Sequence, residues 1–511
     1  VNSSGLIEKA KENLILQSNQ FDTTWTNNDS TETGGQSGYD GSNDAWLLNK
    51  TTFNGRIEQT ISKTGVLTFS VYAKAGTKNW VYLRVDGSGG NHTAYFDLSG
   101  SGALGSTSLA IDSAIEAAGN GYYRCSVTFS DTTTIARIYV ADGNGDTSGT
   151  SGNIYIQDAQ LNYGLIAQDY VETTTTSVVE GLTADLPRLD YSGGASCPSL
   201  LLEPSRTNLL PFSEYMLGSN WVGGQTTLTP VLSDTLSPEG VANCYRVTRS
   251  GSNNQLGSLV AITSGNTYTG SIYVRKVSGS DTAVLKDINN ISTSIDITTE
   301  WKRFHTTATA NSTNGRLYIS PEADGDVIEV YGAQLEEGSY PTSYIPTYGA
   351  SAQRNTDSCS KTGISDLIGQ TEGTLFFEFE EDGNTDYSIA RGFSISDGTY
   401  DNRLYLSRLS SGAIYVAGSV SGSAVIELQE PTPSSRTKVK AALAYSNNDY
   451  VLYVNGSQKA TDTSAGVPSC SNLYLGQEIG LDTNSLKKPY NQVLLFKTRL
   501  SNTELAALTT I

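Results

Sequence analysis

The chain has 511 residues, with 52 acidic against 33 basic side chains and a formal net charge of -19. With no Lys/Arg cluster able to neutralise a row of phosphates, that balance argues against nucleic-acid binding. No apolar run approaches the ~20 residues that cross a bilayer, so membrane insertion is not expected either. The chain opens at Val1 without a Met, and "VNSSGLIEKAKEN" is expected to continue from a longer protein.

Residues 1–12 read as an N-terminal connector. From Asn13 the chain writes "NLILQSNQFDTTW", and "NLLPFSEYMLGSNW" follows at Asn208. "SVYAKAG" from Ser70 matches "SIYVRKVSG" from Ser271, and "YYRCSVTF" (Tyr122 to Phe129) matches "WKRFHTTA" (Trp301 to Ala308) with Arg124 against Arg303. "RIYVADGNGDTSGTSGNIYIQDAQL" from Arg137 matches "RLYISPEADGDVIEVYGAQL" from Arg316. These agreements, in one order and at similar spacing, make two copies of one domain, placed at 13–175 and 205–350.

Within each copy, apolar and polar residues alternate and the runs stop at Gly, Asn or Asp, so they read as antiparallel strands buried on one face. "LTFSVYAK" and "WVYLRVD" are expected to form a hairpin around Ala75 to Asn79, with Tyr72 opposite Tyr82 and Lys74 opposite Trp80. Leu67, Phe69, Val71, Ala73, Val81, Leu83 and Val85 then face a core, leaving Tyr72, Lys74, Trp80, Tyr82 and Arg84 together on the other side. Such an aromatic patch flanked by cations suits a glycan, whose C–H faces stack on rings while its hydroxyls bond to polar neighbours. Tyr273 and Arg275 persist in the second copy, but nothing there matches Trp80 and Tyr82. "DSAIEAAG", with Ser113 and Glu116 in capping-box spacing, predicts a turn or two of helix, as does "SNTELAAL" with Ser501 and Glu504.

"DGNGDTSG" sets Asp142, Asn144 and Asp146 at alternate positions, like the first half of a calcium loop, although the closing bidentate Glu is absent. They are the chain's calcium candidates; otherwise no cofactor is expected. Residues 176–204, with a Thr run and Pro187, Pro198 and Pro204, read as a linker.

The third domain, 357–511, is different. "KVKAALAYSNNDYVLYVNGSQKAT" predicts two tight hairpins, the second closed by Asn455-Gly456. Its rim loops offer Tyr387, Tyr400, Asp401 and Asn402 as weaker ligand-binding candidates. Five scattered Cys show no metal spacing, and Cys359 with Cys470 form the one pair considered for a disulfide. His92 and His305 read as structural. Glu378 and Glu380 on one face of a strand invite a glycosidase reading, against which stands simple solvation of an edge strand.

Several phrases carry a family resemblance. "GTLFFEFE", "YVLYVNG", "LYLG" and "VLLFKTRLSNTELAAL" resemble, in that order, the concanavalin A-like, laminin-G-type lectin fold. The "NLL..S..F...W" opening, the "YRCSVTF" strand and the "AQLEEGSYPTSYIPT" ending resemble carbohydrate-binding-module-like jelly rolls of bacteriophage tail fibres and other virion proteins. The joining phrases "VNSSGLIE" and "LPRLDYSGGASCPSLLLEPSRTNLL" are similar to segments of such proteins. The resemblance implies an all-β chain of two jelly rolls and a lectin-like sandwich, located in a virion appendage, attaching to a host-surface glycan beside other virion proteins. It implies a homo-oligomer, a trimer by resemblance, and no enzyme. The alternatives are a structural head-decoration or fibre-shaft protein without a ligand, and a polysaccharide-degrading tail enzyme.

Overall fold

The computed structural model describes every residue except 1, 3, 5, 181–186, 192–197, 223–230, 252–254, 381–388, 432, 434, 435 and 480–488. Antiparallel sheets dominate, and the α-helix among the described residues is Asn502–Thr509.

In the first copy, Leu67, Phe69, Val71 and Ala73 of Thr64–Ala75 point inward and meet Val81, Leu83 and Val85 of Trp80–Gly87 in one core. The inward residues are those expected from alternation, but the two strands belong to facing sheets. Thr64–Ala75 runs between Tyr122–Ala141, with Ser126 opposite Ser70, and Gly152–Tyr163, with Ile156 opposite Ala73. Trp80–Gly87 runs between the far half of Tyr122–Ala141, with Tyr139 opposite Tyr82, and Gly90–Asp97. The hairpin expected around Ala75 to Asn79 is therefore replaced by a crossing from one layer to the other. Period-two alternation says which residues face a core; it is silent on which strand lies alongside.

The strand Tyr122–Ala141, 20 residues long, serves both sheets. Its inward residues change parity from Cys125, Val127 and Phe129 to Ala136, Ile138 and Val140, with a register shift between Thr133 and Ile135. Asp112–Gly119 pairs along its first half, Ile115 opposite Cys125 and Glu116 opposite Arg124, so the helical turn expected there is a strand. A helix so short is marginal alone, and an open sheet edge satisfies its backbone along the whole segment.

The repeated phrases are a buried clasp. Asn13 donates from Nδ2 to the carbonyls of Ala159 and Val171, and its Oδ1 accepts from the amides of Ile15 and Leu161. Asn208 does the same with Ala333, Ile345, Leu210 and Leu335. The Gln of each Ala-Gln-Leu then holds the tail: the Val171 amide donates to Gln160, and the Ile345 amide to Gln334. Both copies also bond a Ser to a Tyr hydroxyl, Ser18 to Tyr170 at 2.6 Å and Ser213 to Tyr344 at 2.7 Å. A buried amide left without its partners costs ~1–3 kcal/mol, which is why so much of the motif is polar and yet inside.

The second copy repeats the two layers. Val231–Ser233, Cys244–Thr248, Val327–Glu337, Thr267–Ser278 and Lys302–Thr309 form one sheet, and Leu256–Ala261, Asn314–Pro321, Thr282–Lys286 and Ser292–Asp296 the other. The third core lies between a seven-stranded and a six-stranded sheet, with the helix packed outside the former. Ser501 caps that helix in the expected capping box with Glu504. Asn455 and Gly456 take φ of 48° and 80° between Asp449–Val454 and Ser457–Asp462, the doubly left-handed turn a two-residue hairpin needs.

Part of the segment read as a linker belongs to this third core. Ser199–Leu201 pairs with Pro489–Phe496, Leu202 is buried in the sandwich, and Cys359–Lys361 joins the other sheet. Between these two strands Arg206–Asn208 pairs with Ala352–Arg354, forming a neck below the second jelly roll. Lys11–Asn13 and Val178–Glu180 make a similar neck for the first.

Candidate functional site

The sheet of the first copy containing Trp80–Gly87 turns its outer face away from the core. Across it the strands run Thr26–Asn28, Arg56–Thr60, Tyr122–Ala141, Trp80–Gly87, Gly90–Asp97 and Ala103–Ser108. Register places Arg56, Tyr139, Tyr82 and Tyr95 in one row across four strands, and Glu58, Arg137, Arg84 and Thr93 in the next. Beyond these, Trp80 lies opposite Asp97 and Ala141.

The side chains follow the rows. Tyr82 stacks on Tyr95 with ring centroids 4.1 Å apart and planes 8° apart, and lies 4.8 Å from Tyr139. The Arg56 guanidinium sits 5.3 Å from the Tyr139 centroid, closing the end of the row. Alongside, the ions form a chain: Arg56 to Glu58 at 2.9 Å, Glu58 to Arg137 at 2.7 Å, Arg137 to Asp86, and Asp86 to Arg84 at 2.6 Å. Burial opposes ionisation of both carboxyls, but these guanidinium bonds outweigh it and hold Glu58 and Asp86 below their usual range. Burial pushes the Tyr82 phenol up to about 12, so that hydroxyl stays protonated at neutral pH. Tyr139 is buried beneath the row, while the half-buried Tyr82 and Tyr95 beside charged hydrogen-bonding groups offer both surfaces a pyranose presents, its C–H face and its hydroxyls.

Of the five residues grouped from sequence, Trp80, Tyr82 and Arg84 share this face, while Tyr72 and Lys74 lie on the opposite outer face of the sandwich. There Tyr39 stacks on Tyr72 at 3.9 Å and 6°, the Arg124 guanidinium lies 5.4 Å from it, and Lys74 sits 4.9 Å from Tyr122 and 5.1 Å from Tyr155. The loop carrying Tyr39 is pinned from below, Tyr39 donating to Asp158 at 3.0 Å and its amide to Gln157 at 3.0 Å. The chain's own side chains thus already occupy Tyr72. The second copy carries a smaller set, Tyr318 with Lys286 and Arg316 each 5.8 Å from its ring.

The calcium candidates do not converge on a cation. Asp142 has both oxygens taken by ammonium groups, Lys50 at 2.6 Å and Lys78 at 2.7 Å. Asn144 accepts from the Ser106 amide and hydroxyl, and Asp146 from the Ser148 amide. A carboxylate neutralised twice by lysine does not fit a hard divalent ion. The turn fastens Ala103–Ser108 beside Trp80 instead.

His92 is buried, with one ring nitrogen on the Leu109 carbonyl and the other on Asp131, both at 2.8 Å, and Phe129 stacked on it. His305 is exposed on Lys302–Thr309. Glu378 lies in a strand paired on both sides, so it does not solvate an edge; Lys438 binds it at 2.9 Å and Lys440 at 3.7 Å. Cys470 is a free buried thiol, pushed up to about 12 by burial, and does not bridge to Cys359.

In the third domain Tyr400 is 56% exposed and bonds the Ile479 carbonyl, and the Gly422 amide donates to the Asp401 carbonyl. Asn402 spends its side chain inside the rim, on Asp397 and the Ser421 amide. Tyr387 lies outside the described residues.

Sequence reading missed Tyr95, Tyr139, Arg56, Glu58, Asp86 and Arg137. All occupy the polar phase of alternating strands, a signal present in "HTAYFD" and "ARIYVA", but strand order alone brings them to one face. Two clefts of about 550 and 490 Å³ among the described residues lie elsewhere, on the second copy, around Arg206 and Tyr268 and around Lys276 and Asp296. Neither gathers an aromatic row.

The chain matches no family model, and no curated protein matches it. Among solved structures it is similar to the carbohydrate-binding module of the Ruminococcus gnavus IT-sialidase at 18% identity, over 30% of this chain and 98% of that one, TM-score 0.26. It is similar to the N-terminal tandem of carbohydrate-binding modules from a Paenibacillus barcinonensis protein at 14% identity, over 65% and 100%, TM-score 0.22. Mouse laminin α1 chain domains LG4-5 follow at 11% identity, over 48% and 87%, TM-score 0.20. The assignment to all-β sandwiches rests on the sheets themselves.

Proposed function

We propose that this chain is a non-enzymatic, glycan-binding part of a virion appendage such as a phage tail fibre, engaging the host surface through the outer face of its first jelly roll. The observation that carries the reading is the row Tyr139–Tyr82–Tyr95 standing beside the ion chain from Arg56 to Arg84. Single rows of this kind bind weakly, and copies tethered in a homo-oligomer add up by raising effective concentration. The virion context rests on the resemblance of the phrases joining the modules.

Purified chain carrying Tyr82→Ala or Trp80→Ala is expected to lose at least ~10-fold in binding to host cells or to an arrayed host glycan, the loss of about one stacking contact. Tyr72→Ala, on the covered face, should leave binding unchanged. Undiminished binding by both Tyr82→Ala and Trp80→Ala, with their thermal melts intact, would return the face to a fibre-shaft role. Release of reducing ends from host polysaccharide by the purified chain would turn the reading to an enzyme.

A further inference from the structure

We infer that the glycan held by this face is neutral, not carboxylated. The inference rests on the glycan reading above and adds the ligand's charge class.

A carboxylated sugar is recognised by a cation whose charge no neighbouring carboxylate already neutralises, most often an arginine fork. This face has three arginines, and each is already ion-paired. Arg56 faces Glu58, Arg137 bridges Glu58 and Asp86, and Arg84 faces Asp86. Asp97 lies opposite Trp80, and Asp146 adds its repulsion to the burial that raises the Tyr95 phenol. The lysines nearest that end, Lys50 and Lys78, both bind Asp142. Among the described residues the face therefore sets three arginines against four carboxylates, on a chain of net charge -19. An incoming carboxylate would have to displace Glu58 or Asp86 from partly buried ion pairs while approaching a negative field.

A neutral sugar meets none of this. Its hydroxyls donate to the remaining lone pairs of Glu58 and Asp86 and accept from guanidinium N–H groups, charge-assisted bonds that leave the pairs in place. The tyrosine row takes the ring's apolar face.

The test is binding of the purified full-length chain to oligosaccharides in matched pairs, galactan against galacturonan oligomers and lactose against sialyllactose, with Glu58→Gln beside the wild type. Neutral members should bind at least tenfold tighter than their carboxylated counterparts, with less than a twofold change between 50 and 500 mM salt. Glu58→Gln frees charge on Arg56 and Arg137 and should raise affinity for the carboxylated members about tenfold; Asp86→Asn serves where Glu58→Gln lowers the melting temperature. Equal or tighter binding of carboxylated members by the wild type overturns the inference and leaves the glycan reading standing. Binding of neither class overturns both.

Discussion

Asp158 shows how a single side chain sets a pH dependence. It is 5% exposed, takes a left-handed backbone with φ of 53°, and accepts the Tyr39 hydroxyl that closes a loop over Tyr72. Burial, reinforced by Asp44 and Asp40, raises its carboxyl from 3.8 to about 7. A folded-state pKa above the unfolded one stabilises fully below pH 3.8, and the contribution is lost as pH rises through 7. Asn fits the same backbone and still accepts from Tyr39. Asp158→Asn is therefore expected to melt higher than wild type at pH 8, by roughly 1–3 kcal/mol, with the gap closing toward pH 4. Thermal unfolding at several pH values checks it, and equal melts at pH 8 would remove the role. Nothing in "QDAQL" announces this residue, because its shift comes from a loop more than a hundred positions away.

At the scale of elements, sequence and structure agree where a segment decides its own conformation. The Asn455-Gly456 hairpin and the Ser501 capping box are local chemistry, and both stand as read. Ser501→Ala should cost about 1 kcal/mol of helix stability, seen as faster amide exchange across Asn502–Thr509 with the sheet amides unchanged. "DSAIEAAG" carries the same capping spacing and is a strand, because a neighbouring sheet edge outbids a weak local preference. The candidate site was legible to a similar extent. Alternation identified Trp80, Tyr82 and Arg84 as outward, but their companions Tyr95 and Tyr139 reach them through a sheet order that the 20-residue strand Tyr122–Ala141 creates. Only long-range pairing holds that information.

At the scale of the molecule, the three cores are joined by more than linkers. Lys9, ahead of the first jelly roll, reaches Glu239 at 2.7 Å and Glu214 at 3.1 Å in the second, and the Val66 amide donates to the Tyr348 carbonyl at 2.7 Å. The third sandwich takes Ser199–Leu201 and Leu202 from the chain ahead of the second jelly roll. A fragment beginning at residue 357 lacks that strand and should melt lower and aggregate more than one in which residues 187–204 are joined ahead of it. Equal melts would show the strand to be dispensable.

The neck of the second jelly roll has a mechanical meaning. Chain enters through Arg206–Asn208 and leaves through Ala352–Arg354, side by side and antiparallel. A pull on the two ends of this module opens that ladder one hydrogen bond at a time, like a zip, before any load reaches the core. The strands flanking that neck, Ser199–Leu201 and Cys359–Lys361, are both held in the third sandwich, so the bead hangs beside the line of tension rather than in series with it.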